Sequence, residues 1–366
     1  MSFSLPLDRS LLSPPGDTIQ ETLDAIGMTQ AELSARMGRP KEKINELIKG
    51  KAPLTMDTAI MLERVLGIPV HFWIKRESTY RETLARVEEK EALEDDIGWL
   101  DKFPLKALHK YGIISGSRPN VQIMEELLNF FRFAGVKQWK EHYTGASNGV
   151  SFRISLKNTH KPEAIAVWLR LGEKSAEGLK LSPYDEKKFR TALTQIRDIA
   201  CRQPDSYLSD LQAIAATCGV AVVYTPHLSN AKINGAARWL YQTPLIQISD
   251  LYKTNDQFWF SFFHEACHIL QHGKKDIFLE KLEGAEYNTV KEQEANAFAA
   301  NWLIPSQSYE AWVSAKKAFI NEQMIRQFAE RVGIHPGIVV GRLQHDKILK
   351  PVFCNDLKVR IEFNKT

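Results

Sequence analysis

The residues best equipped for chemistry are His264-Glu265-Ala266-Cys267-His268, in an apolar stretch that reads as a helix from about Gln257 to His272 and stops at Gly273. Histidines at i and i+4 stand about 40° apart around a helix, so both imidazoles reach one cation. Glu265, beside the first, lies close enough to take a proton from a water that the cation polarises. Phe260, Phe262, Phe263, Ile269 and Leu270 supply a dry wall that strengthens the electrostatics. A catalytic zinc wants a third protein ligand and an open fourth position. The next helix offers one. Thr289 and Glu292 form a capping box, and Ala295, Phe298, Ala299, Trp302 and Leu303 carry an apolar stripe to Pro305. Glu294 stands within that stripe, where a carboxylate is costly unless a cation pairs with it. With Glu292 assigned to the cap, the expected zinc ligands are His264, His268 and Glu294, with Glu265 as general base. Cys267 is displaced about 100° from His268 and is expected to pack. His272, one turn on, is expected as a cation against the helix dipole.

These residues need a frame. Helices are predicted over Tyr184 to Cys201 and Leu208 to Thr217, followed by short strands at Val220–Tyr224, Gly235–Tyr241 and Pro244–Ile248. The strand Gly235–Tyr241 is a candidate edge for pairing with an extended substrate. Arg238, Tyr241, Tyr287 and His227 flank the motif as candidate oxyanion stabilisers, with no basis for choosing among them. The segment from Asp101 to Lys180 gives weaker signals, with Phe130, Phe131, Phe133 and the run Ala164–Leu171 as candidate core. A helix-turn-helix-like piece near Ile325 to Leu343, turning at Val332-Gly333-Ile334-His335, is expected to pack rather than to bind.

The first ninety residues read as five short helices. Asp17 is expected to cap the first, with Ile19, Leu23 and Ile26 inward and Gly27 as its stop. Thr29 caps the second, with Glu32 as capping-box partner and Gly38 as its end. Pro40 suits the first position of the third, which holds Ile44, Leu47 and Ile48. Thr55 opens a fourth, and a fifth runs from about Val70 into the charged stretch Arg86 to Asp96. Helices two and three, joined through Met37-Gly38-Arg39-Pro40, have the form of a helix-turn-helix whose third helix enters a major groove. From Arg36 to Lys51 six basic residues face two acidic ones, a local excess suited to phosphate contacts. Arg39, Lys41, Lys43, Asn45 and Lys49, with Gln30 at the start of helix two, are the candidate DNA-binding residues.

Two resemblances sharpen this reading. HEACH followed by EQEANAFAANWLIP resembles the ImmA/IrrE family of zinc metallopeptidase-like proteins, which pair an HExxH helix with a glutamate in an ExEAxxFAxxLLxP helix. It covers about the last 150 residues, from the strands at Val220–Ile248 to Ala329-Glu330-Arg331-Val332-Gly333 and Val339-Val340-Gly341-Arg342-Leu343. Matched by position, it implies metal ligation by His264, His268 and Glu294, a general base at Glu265, and hydrolysis of a peptide bond. Relatives often have glycine where Cys267 stands. GMTQAELSARMGRPKEKINELIKGKAPLTMDTAIMLERVLG resembles Cro/CI-type (XRE) regulators, and the stretch from Pro14 to Tyr80, with Phe72-Trp73, resembles HigA-type antitoxins. Pro40 stands where those regulators often have a hydroxyl residue, and Glu42 and Glu46 bring negative charge to the groove-facing helix.

Bulk properties set the bounds. At 366 residues the chain is too long for one ordinary core. Its net charge of +4 is too small to imply a partner, so a nucleic-acid reading rests on local charge. No run of eighteen apolar residues exists, so no membrane span is expected. The N-terminus lacks the pattern of a secretory signal, and four cysteines without a CxxC pair read as reduced thiols, so a cytoplasmic location is expected. The expected fold is α+β, mainly α: a helix-turn-helix domain over 1–92, a helical middle region over 93–205, and a zincin-like domain with a small β-sheet over 206–366. The partners expected are operator DNA, bound as a homodimer, and a protein substrate or cognate toxin. Two functional readings stand: a DNA-binding regulator with a zinc-dependent endopeptidase that cleaves a partner regulatory protein, or a non-catalytic HigA-like antitoxin and autorepressor.

Overall fold

The computed structural model describes residues 9–145, 161–228, 231, 233–251, 253–273, 278–279, 289–316 and 320–362. The side chain of Thr289 and all of Tyr287 lie outside the described residues, so neither the capping box nor that oxyanion candidate is described. The chain forms two compact units. One holds the described residues up to Gly98 together with Pro119–Met124, and the other holds Trp99–Arg118 and what is described from Glu125 onward. Trp99–Arg118 and the sheet thus belong to the same unit.

The first unit contains five helices: α1 (Pro15–Ile26), α2 (Gln30–Met37), α3 (Lys41–Ile48), α4 (Met56–Leu66) and α5 (Val70–Asp95). The caps follow the expected chemistry in most places. Thr29 Oγ1 accepts from Glu32 N at 3.2 Å, and Thr55 Oγ1 accepts from Thr58 N at 3.3 Å. Gly38 takes φ 62° to turn the chain between α2 and α3, a conformation that a β-carbon disfavours. Two expectations fail at proline. Pro14, not Asp17, occupies the N-cap of α1, and Asp17 instead accepts from Ser13 Oγ at 2.9 Å. Pro40 stands at the N-cap of α3 rather than inside it. Ile19, Leu23, Leu33, Ile44, Leu62 and Trp73 form the centre of this unit's core, whereas Ile26, at the end of α1, is 54% exposed.

The second unit contains α6 (Leu105–Lys110), most of α7 (Val121–Phe131), α8 (Val136–Thr144), α9 (Pro162–Glu177), α10 (Glu186–Arg202) and α11 (Tyr207–Thr217). Strands β1 (Ala221–Thr225), β2 (Gly235–Leu240) and β3 (Thr243–Ser249) follow, then α12 (Asn255–Gln271) and the two-residue β4 (Phe278–Leu279). Helices α13 (Thr289–Leu303), α14 (Ser306–Lys316), α15 (Glu322–Val332) and α16 (Pro336–His345) complete the unit. The sheet order is β1-β3-β2-β4; β1 and β3 are parallel, and the other pairs are antiparallel. The expected substrate edge is therefore changed. β2 lies between β3 and β4, with β4 paired to Ala236 and Ala237.

One face of the sheet is apolar and the other sets Ala221, Val223 and Leu245 beside Thr225, Arg238 and Gln247; both are buried, so each needs cover. On one face, Phe262, Phe263 and Ala266 of α12 join Val222, Ala237 and Ile246 in the main core, with Phe328, Val340 and Leu343 from α15 and α16. On the other face lies α9, whose Ala164–Leu169 run is buried. This is why the middle region does not stand alone: α9 covers the sheet, and α10 packs on α11 and α12. The fold is mainly α with one small sheet. Among the described residues, no helix is long and apolar enough to cross a membrane.

Candidate functional site

Helix α12 is buried on every side, because the sheet, α13 and α16 all pack on it. His264 and His268 are each 1% exposed and Glu265 is 0% exposed, so these polar side chains must find partners inside the protein. The two imidazoles turn the same atom inward, with His264 Nε2 and His268 Nε2 3.0 Å apart. The Glu292 carboxylate closes the group: Oε2 lies 3.2 Å from His264 Nε2 and Oε1 lies 3.5 Å from His268 Nε2. These three side chains can offer one ligand atom each, all within 4.8 Å of one another. Donors held at zinc distances with tetrahedral angles lie roughly 3.3–3.6 Å apart, so the spacing and the donor types both fit such an ion.

The structure thus brings Glu292, and not the expected Glu294, to the two histidines. Ala295 and Ala299 are fully buried, and Glu292, Ala295, Asn296 and Ala299 share the stripe of α13 that faces α12. Glu294, one residue before Ala295, lies about 100° around the helix. Its side chain is 54% exposed and meets His272 Nε2 at 2.9 Å. The signal in the sequence that places Glu292 is its spacing to Ala295 and Ala299, three and seven residues on. Asn296 was also missed; its Oδ1 lies 3.1 Å from His264 Nδ1.

Burial first, then His264, His272 and Lys291, push the His268 pKa down to about 2, so its ring is neutral. A neutral imidazole is the form that ligates a metal. Burial first, then Glu294, push the Cys267 thiol up to about 12; its Sγ donates to Gln271 Oε1 at 3.3 Å. An un-ionised, buried thiol packs and does not compete as a ligand. Glu265 lies against β2 at Gly235, where an added β-carbon would meet its Oε1 at 2.7 Å. A larger residue there would press on the carboxylate and shift it.

The remaining oxyanion candidates are placed away from this role or are otherwise engaged. Arg238 lies on the sheet face away from α12, with Nη1 2.9 Å from Gln247 Oε1 and Nη2 2.6 Å from Leu169 O. His227 Nδ1 pairs with Asp250 at 2.8 Å, and Tyr241 sits 98% exposed in the β2–β3 turn. His272 is not a solvated helix-end cation: it is 8% exposed, and its Nδ1 lies 2.7 Å from His268 Nδ1.

In the first unit, α3 buries Ile44 and Leu47 and turns Lys41, Lys43 and Asn45 to solvent, with Arg39 exposed in the preceding turn and Lys49 exposed at its C-cap. Gln30 is half-buried and donates to Gln20 Oε1 at 2.6 Å. Lys43 pairs with Glu46 at 2.8 Å; with 65% of the lysine side chain exposed, that pair is weak and readily exchanged for a phosphate.

The comparisons with known proteins fall on the same two regions. Residues 19–73 match the Helix-turn-helix family, and residues 216–344 match a peptidase family described as the IrrE N-terminal-like domain. Over 74 residues the chain is 34% identical to the uncharacterized HTH-type transcriptional regulator YddM of Escherichia coli, covering 20% of this chain and 77% of that protein. An addiction module antidote protein of a HigA family from Coxiella burnetii matches at 21% identity, over 23% of this chain and 91% of that one, with a TM-score of 0.20. The chain belongs to the helix-turn-helix transcriptional regulators, and it joins to that DNA-binding module a peptidase-family IrrE N-terminal-like domain.

Proposed function

We propose that the peptidase-family domain is a zinc-dependent endopeptidase that cleaves a partner regulatory protein, and that the helix-turn-helix module binds operator DNA as part of a homodimer. The observation that carries the peptidase reading is the meeting of His264 Nε2, His268 Nε2 and the Glu292 carboxylate beside a buried Glu265. Three ligating side chains, the group found among the described residues, leave a fourth position for water or substrate, whereas a structural zinc more often takes four. When bound, zinc supplies Lewis acidity, lowering the pKa of a water it holds and polarising a scissile carbonyl. The residues of the chain do the rest. His264 and His268 present Nε2 lone pairs, Glu292 brings the negative charge, and the Glu265 carboxylate accepts the proton of the attacking water. The dry surroundings from Phe262, Phe263 and Ala266 keep those charges effective. Arg39, Lys41, Lys43 and Lys49 meet phosphates, while Asn45 and Gln30 reach toward base edges.

The test uses the full chain with a library of proteome-derived peptides read by mass spectrometry, beside zinc analysis. Wild type is expected to hold one zinc per chain and to cleave, and Glu292→Ala to lose the metal. Glu265→Gln should keep the zinc and lose cleavage by about 10²–10⁴-fold, the contribution of a positioned base. Zinc-free wild type, or undiminished cleavage by Glu265→Gln, overturns the reading. Stoichiometric zinc without cleavage of any peptide would favour the non-catalytic antitoxin.

A further inference from the structure

The geometry points to His272 as a positioning residue that, with Glu294, locks His268 in the one tautomer able to face a metal. This rests on the metal-site reading above and adds a residue to it. His264, His268 and His272 follow one another at four-residue intervals, so they form a single row along α12. Behind His268 the row continues as a hydrogen-bonded line. His268 Nδ1 lies 2.7 Å from His272 Nδ1, and His272 Nε2 lies 2.9 Å from Glu294 Oε2.

The proton positions follow from what each end demands. A ligating imidazole presents an unprotonated nitrogen, and the His268 nitrogen that faces His264 and Glu292 is Nε2. A neutral ring carries one N–H, so the His268 proton sits on Nδ1 and is donated to His272. His272 Nδ1 then accepts, its own proton sits on Nε2, and the Glu294 carboxylate takes that bond. Each contact in the line has one donor and one acceptor. The reverse direction would put a proton on Glu294 and another on His268 Nε2, blocking the lone pair.

The neighbouring ligand is held by the same logic with a different partner. His264 Nδ1 donates to Asn296 Oδ1 at 3.1 Å, leaving its Nε2 free to face the cluster. His268 has a longer support because its outer side faces His272, itself 97% buried at the side chain, and the negative end of the line, Glu294, is half in water. The carboxylate thus orients the ring from the exposed side of the helix pair without the cost of a buried charge.

The experiment measures zinc affinity of the full chain by competition with a chromophoric chelator, for wild type, His272→Leu, His272→Gln and Glu294→Gln. It also records imidazole nitrogen NMR spectra of wild type. Loss of such outer partners typically costs about 10–100-fold in metal affinity. His272→Leu should show a loss of that order, and His272→Gln, whose amide oxygen still accepts from His268, should recover most of it. Glu294→Gln should lose less than His272→Leu. The spectra should place the His268 proton on Nδ1 and the His272 proton on Nε2; this readout needs no variant to fold. Equal zinc affinity in wild type and His272→Leu, or a His268 proton on Nε2, overturns the assignment alone. A wild type that binds no zinc removes the metal site itself and this assignment with it.

Discussion

Helix α3 and helix α12 both carry the polar residues of a candidate functional surface, and they carry them in opposite ways. On α3 the cations are exposed, and the apolar residues Ile44, Leu47 and Ile48 face the core. On α12 the histidines and the glutamate are themselves buried, and apolar residues pack on the remaining sides. An exposed cation needs no partner in the fold and is free to meet a phosphate. A buried imidazole must be satisfied from within, so its partners on α13 are part of the site. Function on α3 is therefore separable from stability, and on α12 it is not.

This contrast can be broken by measuring how far each polar group holds up the fold. The largest effect is expected at Arg238, 1% exposed and bound to Gln247 and Leu169 O. Arg238→Met should cost about 3–5 kcal/mol in denaturant unfolding, since removing one partner strands buried acceptors. A cost below 1 kcal/mol would show that buried polar groups here are as dispensable as exposed ones. Next, Arg39→Ala, Lys41→Ala and Lys43→Ala combined should leave stability within about 0.5 kcal/mol of wild type. The same triple variant should weaken DNA binding by about 10²-fold and lower the slope of log affinity against log salt by about 2.7. A triple variant that unfolds, or that binds DNA with the wild-type slope, would break the comparison from the other side.

The smallest effect concerns a half-buried histidine outside the candidate centre. His335 Nδ1 accepts from Asn255 Nδ2 at 3.0 Å and from Gly337 N at 3.1 Å, capping α16. Burial first, then the charge of Arg326, lower its pKa from the ordinary 6.5. The unfolded chain binds a proton there at higher pH than the folded one. The stabilisation is therefore complete above about pH 6.5 and declines as the pH falls from that value through the lower folded pKa. His335→Asn, which keeps an acceptor but no titration, should show a shallower loss of stability between pH 7 and pH 5. Identical slopes in the two proteins would remove His335 from the acid response.

Much of the local structure could be read directly. The caps at Thr29 and Thr55 and the stops at Gly27, Gly38 and Gly67 appear where side-chain chemistry puts them. The strands near Ala221, Gly235 and Thr243 and the helix holding both histidines also fall within a few residues of expectation. These are signals of one element at a time, carried by periodicity and by bonds spanning three or four residues. The misplacements were of another kind. Helix α13 carries apolar residues on more than one side, with Ala295 and Ala299 buried but Val290 59% exposed. Its sequence therefore does not announce which stripe meets α12, and two glutamates two residues apart were open to exchange.

The chain's linear order alone settles that two histidines four apart share a helix face with a glutamate beside them, and that a basic helix follows a tight glycine turn. Both follow from backbone geometry and need no knowledge of neighbours. Tertiary structure decided what those residues meet. It brought Glu292 rather than Glu294 to the histidines, turned Arg238 to the α9 face of the sheet, and drew His272 into the row behind His268. Such choices depend on which helix faces become interior. That is settled only when the sheet and the helices compete to bury their apolar surfaces against one another.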